Sequence, residues 1–382
     1  MQEDFHYYAT YSAAYLAGYT HEESLEIAYS CQMVDLCSVT MLSKIGAPIN
    51  AATTQLSLEL MDANTDLLGL QNITRIWASF HFLPYDLHAT MDRKVSNKFL
   101  KRYRLICKPN GKLLETTVNM ALYESLQHLG LTMHILADTW AHQYFVGTPS
   151  LAMNNTNYHF YEILENTQRP VNFKHNPKGE DDLEKGVYTN SIYQMEESSI
   201  MNLGHGRAGH LPDYSFIRYR YLPAWANYEE IVKDNPSDYM HAYAQMVYAM
   251  KQIRQRKPYE NNQYAWDEIE PYKEEIQSII EKRRLSASAD WKNFGERLSG
   301  ETIEDFDVEK YQEQYLVAQE KNNTFIGKFI LAALAQKSMV TNAIYTSGNH
   351  LAGISIDYNQ KGFKGIKDFH SLLVYKKGDK HD

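Results

Sequence analysis

The stretch His134-Ile-Leu-Ala-Asp138-Thr-Trp-Ala-His142 places three residues of metal-binding type in an otherwise apolar helical run. A step of four residues along an α-helix turns the side chain by only about 40° and advances it by about 6 Å, so all three lie on one face. The two histidines are then about 12 Å apart along the axis, which does not suit one tetrahedral ion. The spacing favours two ions with Asp138 between them.

A single histidine in such a helix is more often a buried residue that is hydrogen-bonded to a neighbour. Three potential ligands in register favour the metal site instead. One helix supplies only part of a coordination sphere, so further ligands must come from other parts of the chain. The candidates are Asp4, His6, Asp35, His81, His205, His210 and Asp213.

Glycines surround two of these candidates. His205 and His210 lie among Gly204, Gly206 and Gly209, where a loop can bend so that several ligands meet at one ion. An ordinary glycine turn is the alternative interpretation of this segment.

Length and composition indicate a globular protein with a large core, because 44% of the 382 residues are hydrophobic. No long linker divides the chain, so we expect one large unit with insertions. Residues 1–256 are predicted to form a metal-binding helical core with a loop insertion at about 165–200, and residues 257–382 a helical extension packed on it. The net charge of −9 argues against a groove for duplex nucleic acid, but a small phosphate substrate remains possible.

The cysteines and the N-terminal sequence bear on location. Cys31, Cys37 and Cys107 imply no disulfide framework, since the first two are six residues apart in a predicted helix and their side chains diverge. No basic segment precedes an apolar one at the N-terminus, and no stretch reaches about 18 apolar residues. We therefore expect a cytoplasmic protein without a transmembrane segment.

Helical signals dominate, and the predicted fold class is all-α with few short β pieces. A first helix is expected over about 4–17, and a second from near His21 after the Thr20/Glu23 capping box, with Asp35 towards its end. One long buried helix is predicted from Leu113 to His142, another from Pro236, and one or two within 308–346. Loops are expected at about 165–190 and 284–304, and strands in RYRYLPAW (218–225) and in LLVY near the C-terminus.

Several enzyme classes are disfavoured because their motifs are absent from the sequence. It contains no HExxH, GxSxG or GxxxxGK[ST] motif, and its only His-Asp dipeptide is His381-Asp382 at the C-terminus. Ferritin-like di-iron proteins require paired ExxH helices. The chain offers His159 with Glu162 in the reverse order, which is a poor match.

The HxxxD helix followed closely by another histidine resembles the zinc-dependent phospholipase C and P1-type nuclease superfamily, which has an all-helical fold. The order His6, Asp35, His81 before that helix is also similar. The resemblance implies that His81, His134 and Asp138 hold one zinc, that His6 and the bridging Asp138 hold a second, and that His142 begins a third. It also implies that Asp35 lies near the attacking water as a base.

Two further ligand assignments follow from the same resemblance. Members of that family bind zinc through the amine and carbonyl of a mature N-terminal residue; because this chain starts at Met1 without a signal peptide, Asp4 is the expected substitute. The family's later Hxxx[DE] pair is missing, so His205, His210 or Asp213 is expected to complete the third site. The phrases DFHYY, FHFLP and WAHQ also resemble an uncharacterised bacterial family without an assigned activity.

These observations predict a metal-dependent hydrolase of small-molecule or lipid phosphoesters, with two or three zinc ions that lower the pKa of a bound water. Arg207 or a lysine of the basic run 94–108 is expected to stabilise the phosphate, although that run is also typical of a solvated surface. Two alternatives remain open. One is a helical protein with a purely structural metal site, and the other is a metal-free helical binding protein.

Overall fold

The computed structural model describes residues 1–56, 67–174, 179–189 and 202–352, and it is mostly helical. A π-helical segment, Asp4–Ala9, leads directly into the first α-helix. The helices of the N-terminal part are α1 (Thr10–Leu16), α2 (His21–Leu36), α3 (Val39–Lys44), α4 (Ile49–Ala52), α5 (Leu67–Phe80), α6 (Asn97–Tyr103), α7 (Lys112–Asn119), α8 (Leu126–Ala141) and α9 (Leu151–Asn154). Those that follow are α10 (Glu180–Glu184), α11 (Asn235–Arg254), α12 (Trp266–Ile269), α13 (Lys273–Glu281), α14 (Ser288–Ser299), α15 (Glu309–Val317) and α16 (Phe325–Thr346).

Helix α2 begins and ends where the sequence predicts. The Thr20 side chain accepts a hydrogen bond from the Glu23 backbone N–H, and the Glu23 carboxylate accepts one from the Thr20 N–H. This capping box satisfies two backbone donors that the first helical turn would otherwise leave unpaired. Asp35 is the penultimate residue of the helix, as expected.

The single helix predicted from Leu113 to His142 is wrong, because the structure has two helices there. Helix α7 ends at Asn119, and Tyr123 then adopts a left-handed backbone conformation with φ of 67°. Ser125 starts α8 by accepting a hydrogen bond from the backbone N–H of His128. Neither a proline nor a glycine marks this break, so the apolar periodicity runs across it.

The close packing of α2 on α8 positions the residues of interest. The Ser30 hydroxyl donates to the carbonyl of Gln127 at 2.6 Å, and further along α8 the ring of His134 meets the carbonyl of Cys31 at 3.0 Å. Gly130 allows this approach, because a Cβ atom there would lie 2.3 Å from the carbonyl oxygen of Ile27. A helix glycine is tolerated here for packing rather than for flexibility.

Six short strands of the described residues lie between α9 and α11, namely β1 (Phe160–Ile163), β2 (Gln168–Pro170), β3 (Asn172–Lys174), β4 (Val187–Thr189), β5 (Arg218–Tyr221) and β6 (Ile231–Asp234). Strands β2, β1, β5 and β6 form an antiparallel sheet in that order, and β3 pairs with β4 in parallel. Strand β5 confirms the prediction for RYRY: Tyr219 and Tyr221 belong to a second hydrophobic core, whereas Arg218 is exposed.

The loop predictions at 165–190 and 284–304 are wrong over much of their length. The first range contains β2, β3, α10 and β4, and the second contains all of α14. Trp291 and Phe294 in α14 are buried in the main core, where the Trp291 ring lies 6.1 Å from that of Phe5. The proposed strand LLVY lies outside the described residues.

The remaining helix predictions are confirmed. Helix α11 carries Pro236 in its first turn, and the Asp234 carboxylate caps it through the backbone N–H of Ser237. The range 308–346 contains α15 and α16, and α16 packs on α8 and α5. The division near residue 256 remains a prediction, since α14 and α16 contribute to the same hydrophobic core as α1, α2 and α8. None of the described helices is long and apolar enough to cross a membrane.

We expect Gly130→Ala to separate α2 from α8 and to destabilise the protein. Alanine alone would favour a helix by about 1 kcal/mol, but overpacking against a backbone carbonyl costs about 1–3 kcal/mol, so a net loss is expected in urea unfolding. Gly295→Ala in α14 is the control, because its Cβ would meet side-chain atoms of Ile303 and Tyr11 that can shift. Equal stability of Gly130→Ala and wild type would contradict this account of the packing.

Candidate metal centre

Helix α8 presents His134 and Asp138 on one buried face, and His142 follows directly at its end, as the four-residue spacing predicts. The three residues are 0%, 1% and 4% exposed. Burial of an ionised carboxylate is costly unless cations or donors surround it. The groups that surround Asp138 therefore define the site.

A first group gathers at Oδ2 of Asp138. This oxygen lies 3.2 Å from both Nδ1 of His81 and Nε2 of His134, and those two nitrogens are 3.3 Å apart. Oδ1 of Asp35 lies 3.9 Å from the same nitrogen of His81 and 3.8 Å from that of His134. Atoms from α2, α8 and the residue that follows α5 thus lie close to the rings of His81 and His134.

The spacing of the atoms from His81, His134 and Asp138 matches the spacing of ligands around a tetrahedral ion. Ligands about 2.0–2.1 Å from a zinc ion are about 3.3–3.4 Å from one another, and the triangle at Asp138 has edges of 3.2–3.3 Å. The edges from Asp35 to the two histidines are about half an ångström longer than in this ideal geometry, which a rotation of its carboxylate would close. Asp35, His81 and His134 form one of the groups in the described residues that could hold a metal ion.

The tautomers of both histidines agree with this arrangement. Nδ1 of His134 lies 3.0 Å from the carbonyl of Cys31, and Nε2 of His81 lies 3.1 Å from the carbonyl of Thr54. Because a carbonyl only accepts hydrogen bonds, the nitrogen that faces it carries the proton. The other nitrogen of each neutral ring then has an unprotonated lone pair that points into the group, as in metal-binding histidines.

A second group gathers at the other oxygen of Asp138. Oδ1 lies 3.2 Å from Nε2 of His6 and accepts a hydrogen bond from the α-amino group of Met1 at 2.8 Å. His6 is 1% exposed, and its Nε2 has no hydrogen-bond partner among the described residues. A buried ring nitrogen of this kind, close to a carboxylate oxygen, is the arrangement that a shared cation would complete.

A third group lies beyond Met1, towards the glycine-rich loop, residues 204–209. Nε2 of His142 is 3.4 Å from Oδ1 of Asp213, and Nε2 of His205 is 3.7 Å from its Oδ2. The amino nitrogen of Met1 lies 3.4 Å from both His142 Nε2 and Asp213 Oδ1. His142, His205 and Asp213 form another group that could hold a metal ion.

The loop that carries this third group depends on a glycine and an aromatic ring. Phe82 stacks on the ring of His142, with centroids 4.6 Å apart. Gly204 has a φ of 54°, and a Cβ there would lie 2.2 Å from the Phe82 ring. The glycine therefore permits both the left-handed turn and the close approach that brings His205 to His142.

Charges in the site shift the pKa values strongly. Burial would raise the pKa of Asp138, but His142, the Met1 amine and His134 together hold it well below its usual range. Burial would lower the pKa of the Met1 amine, whereas Asp138, Asp213 and Asp35 raise it to about 11. Burial, the nearby His134 and the Met1 amine lower the pKa of His6 to about 3. Asp138 thus stays ionised, and His6 stays neutral.

The structure brings together most of the residues that the sequence suggests. His6, Asp35, His81, His134, Asp138, His142, His205 and Asp213 all contribute to the three groups. His210 lies at their edge, 45% exposed in its side chain, and its Nδ1 is 2.9 Å from Oδ2 of Asp213. It contacts the carboxylate and orients it.

Two further candidates, Asp4 and Arg207, make hydrogen bonds with residues outside the three groups. The carboxylate of Asp4 accepts hydrogen bonds of 2.8 Å from the backbone N–H groups of Phe5 and Ala287, and the nitrogen beside Asp138 belongs to Met1. Each oxygen of the Asp4 carboxylate thus has a backbone partner, and a role for Asp4 as a metal ligand stays a prediction. The guanidinium of Arg207 donates to Asn202 and to the hydroxyl of Tyr158. Within the basic run 94–108, the Lys108 ammonium lies over the rings of Tyr85 and Tyr144.

Sequence analysis missed two participants, the amine of Met1 and the residue Cys31. The sulfur of Cys31 lies 3.7 Å from Nδ1 of His6. Cys31 precedes Asp35 by four residues, so the same spacing that revealed α8 also places these two on one face of α2. Burial raises the pKa of the Cys31 thiol well above its usual value.

The comparisons with known proteins give a family but no activity. Residues 1–344 match the model of a family of unknown function, DUF6765, and the chain belongs to this family. Neither the curated proteins nor the solved structures include a match to the chain.

We expect Asp138→Asn to reduce metal content more than His142→Ala. The carboxylate touches two groups through its two oxygens, and an amide in its place removes the negative charge that they share. Elemental analysis of protein purified without chelators should show a loss of about two equivalents of divalent metal in Asp138→Asn, and of at most about one in His142→Ala. Full metal content and unchanged melting of Asp138→Asn would contradict the shared-carboxylate arrangement.

Proposed function

We propose that the protein is a metal-dependent hydrolase of phosphoester bonds that uses zinc ions held by these three groups. One observation carries this proposal: the two oxygens of the buried Asp138 carboxylate face two different groups of ligand atoms. Neighbouring metal positions are typical of enzymes that cleave phosphoesters. The resemblance to the phospholipase C and P1-type nuclease superfamily supports the same reaction class.

The donor atoms suit zinc better than magnesium or calcium. Imidazole nitrogens supply most of the ligands, whereas the harder cations prefer shells made of oxygen. Zinc supplies a Lewis acid for the phosphoryl oxygens and lowers the pKa of a bound water towards about 7.

The residues of the chain hold and orient this chemistry. The carbonyls of Cys31 and Thr54 fix the tautomers of His134 and His81, and the carbonyl of His81 accepts from Nδ1 of His142 at 2.8 Å. Such hydrogen bonds to the far side of a ligand prevent the ring from turning and raise its basicity. The ligands are thus preorganised before any substrate arrives.

The number of donors differs between the groups, and this difference assigns their roles in the proposal. Asp35, His81, His134 and Asp138 supply four atoms, which would close a tetrahedral sphere. The second group has two side-chain donors, from Asp138 and His6. Catalytic zinc sites keep a position open for water, and a group with so few side-chain donors leaves such a position.

Asp35 takes a different role from the one that the resemblance implies. Its oxygen lies among the atoms of the first group, and a carboxylate that binds a metal is not free to remove a proton from water. We therefore propose Asp35 as a ligand. In this assignment metal content and activity fall together in Asp35→Asn.

Access to the site comes from the side of α2 and the glycine-rich loop. Asp35 is 24% exposed in its side chain and His205 15%, whereas His134 and Asp138 are 0% and 1% exposed. A substrate would therefore approach between the end of α2 and the loop of His205. We propose a small-molecule or lipid phosphoester as the substrate class.

A purely structural metal site is the second candidate function. It is favoured by the first group, because four protein ligands without a water position are typical of structural zinc. In that case the protein would bind one ion tightly, and its removal would lower the melting temperature without affecting any reaction.

Hydrolysis assays on chelator-free protein separate these functions. We expect at least two zinc equivalents per chain and turnover of one or more of bis(p-nitrophenyl) phosphate, a phospholipid and a nucleotide. Removal of metal by a chelator should abolish turnover, and added Zn²⁺ should restore it. His6→Gln should lose activity by at least about 10²-fold, the scale expected when a catalytic group is removed.

His88→Gln is the matched control, since His88 is an exposed histidine outside the three groups. It should retain both metal and activity. One tightly bound equivalent together with no hydrolysis of any of the three substrates would favour the structural site. Less than about half an equivalent in folded protein would exclude both functions.

A further inference from the structure

The rings of His6 and His134 form a nearly parallel pair between Asp138 and Cys31. Their centroids are 3.8 Å apart with an interplanar angle of 19°. Both rings turn Nε2 towards Asp138, His6 facing Oδ1 and His134 facing Oδ2 at 3.2 Å each. Both turn Nδ1 towards Cys31, but His134 meets its carbonyl and His6 meets its sulfur.

The two contacts with Cys31 differ in what they enforce. A carbonyl can only accept, so it fixes the tautomer of His134. A thiol can donate or accept, so the sulfur alone leaves two tautomers open for His6. In one tautomer Nδ1 carries the proton and Nε2 is a free ligand; in the other, Nε2 carries the proton and cannot bind a metal.

Thr10 decides between these tautomers. Its hydroxyl lies 3.1 Å from the carbonyl of Phe5 and 3.4 Å from the sulfur of Cys31. A hydroxyl has one proton, and the carbonyl of Phe5 can only accept it. The oxygen of Thr10 is then an acceptor for the thiol proton, and the sulfur is left to accept from Nδ1 of His6.

A second observation supports this direction. Nε2 of His6 is fully buried and has no hydrogen-bond partner in the part of the chain that the structure describes, although Oδ1 of Asp138 is only 3.2 Å away. The hydrogen-bond geometry between Nε2 and that oxygen is therefore poor, whereas a cation bound at the second group would accept a lone pair on Nε2.

The geometry points to Cys31 as a positioning residue, which accepts a hydrogen bond from Nδ1 of His6 within a chain that ends at Thr10 and the Phe5 carbonyl, and so keeps Nε2 free to bind the second metal ion. This role deepens the proposed function and rests on it, because it concerns the group with the open position. His6, Cys31 and His134 also form a group that could hold a metal ion; in the arrangement proposed here Cys31 is not a ligand, because its sulfur lies at Nδ1 of His6 and the metal would bind Nε2.

The tautomer itself can be measured in the full-length, metal-free protein. Protein labelled with ¹⁵N-histidine gives imidazole nitrogen shifts that distinguish protonated from unprotonated positions, and His6→Gln identifies the signals. We expect His6 to carry its proton on Nδ1. A proton on Nε2 in the wild type would overturn the role of Cys31.

Two matched pairs of variants test the chain of hydrogen bonds. Thr10→Val removes the acceptor of the thiol proton, and Thr10→Ser keeps it. Cys31→Ala removes the acceptor of the His6 proton, and Cys31→Ser keeps a group that can accept. In competition with a chromogenic chelator for Zn²⁺, we expect one equivalent to be bound about 10–100-fold more weakly in Thr10→Val and in Cys31→Ala, and not in the two serine variants.

The remaining equivalent, held by Asp35, His81, His134 and Asp138, should keep its affinity in all four variants. Wild-type affinity of both equivalents in Thr10→Val and Cys31→Ala would overturn the inference. So would an equal loss in Cys31→Ser and Cys31→Ala, because it would assign the effect to packing volume. If the Cys31 variants do not fold, the Zn²⁺ affinities of Thr10→Val and Thr10→Ser and the measured tautomer of His6 still test the inference.

These outcomes are separable from failure of the proposed function. The tautomer and the affinity for Zn²⁺ are measured without a substrate, so they stand even if no phosphoester is hydrolysed. Conversely, hydrolysis by a protein whose His6 carries its proton on Nε2 would support the proposed hydrolase function and contradict the role of Cys31.

Discussion

The negative charge of Asp138, held inside the helical core, is the constraint on which the rest of the site depends. An ionised carboxylate that is 1% exposed costs several kcal/mol unless its charge is balanced nearby. The Met1 amine and the ring nitrogens of His6, His81 and His134 surround it. The N-terminal segment, the end of α5 and α8 must therefore converge at this point, and the shape of the core follows from that requirement.

Part of the fold could be predicted because its signals are local. The Thr20 capping box, the turn at Gly18 and the proline start of α11 each act within a few residues, and the structure contains them. The break between α7 and α8 could not be predicted, because Tyr123 has no intrinsic preference for a left-handed backbone. Helix α14 was missed because its amphipathic pattern is short and is flanked by polar residues.

The site shows the same division between local and distant signals. The spacing of His134, Asp138 and His142 in α8 is visible within nine residues of the sequence. The resemblance to a known superfamily indicated His6, Asp35 and His81 as further site residues, because these residues occur in the same order. The contact of Asp4 with Ala287 could not be predicted, because nothing in the sequence reveals that a backbone N–H so far away in the chain donates to its carboxylate. The sulfur of Cys31 was missed because a thiol behind a histidine forms no recognised motif. Contacts through backbone atoms leave no trace in a sequence pattern.

The first and the third group are held in place by different kinds of structure. The first group draws its atoms from α2, α8 and the end of α5, and α2 and α8 pack closely around Gly130 and cannot move apart without opening the core. The third group depends on a loop, where Asp213 and His205 are held by a glycine turn and by the stacking of Phe82 on His142.

Rigid elements suit an ion that fixes the structure, whereas loops suit positions that must admit a substrate. The second group lies between these two and shares Asp138 with the first. One buried carboxylate therefore contributes negative charge to both groups, and a change at Asp138 would affect both.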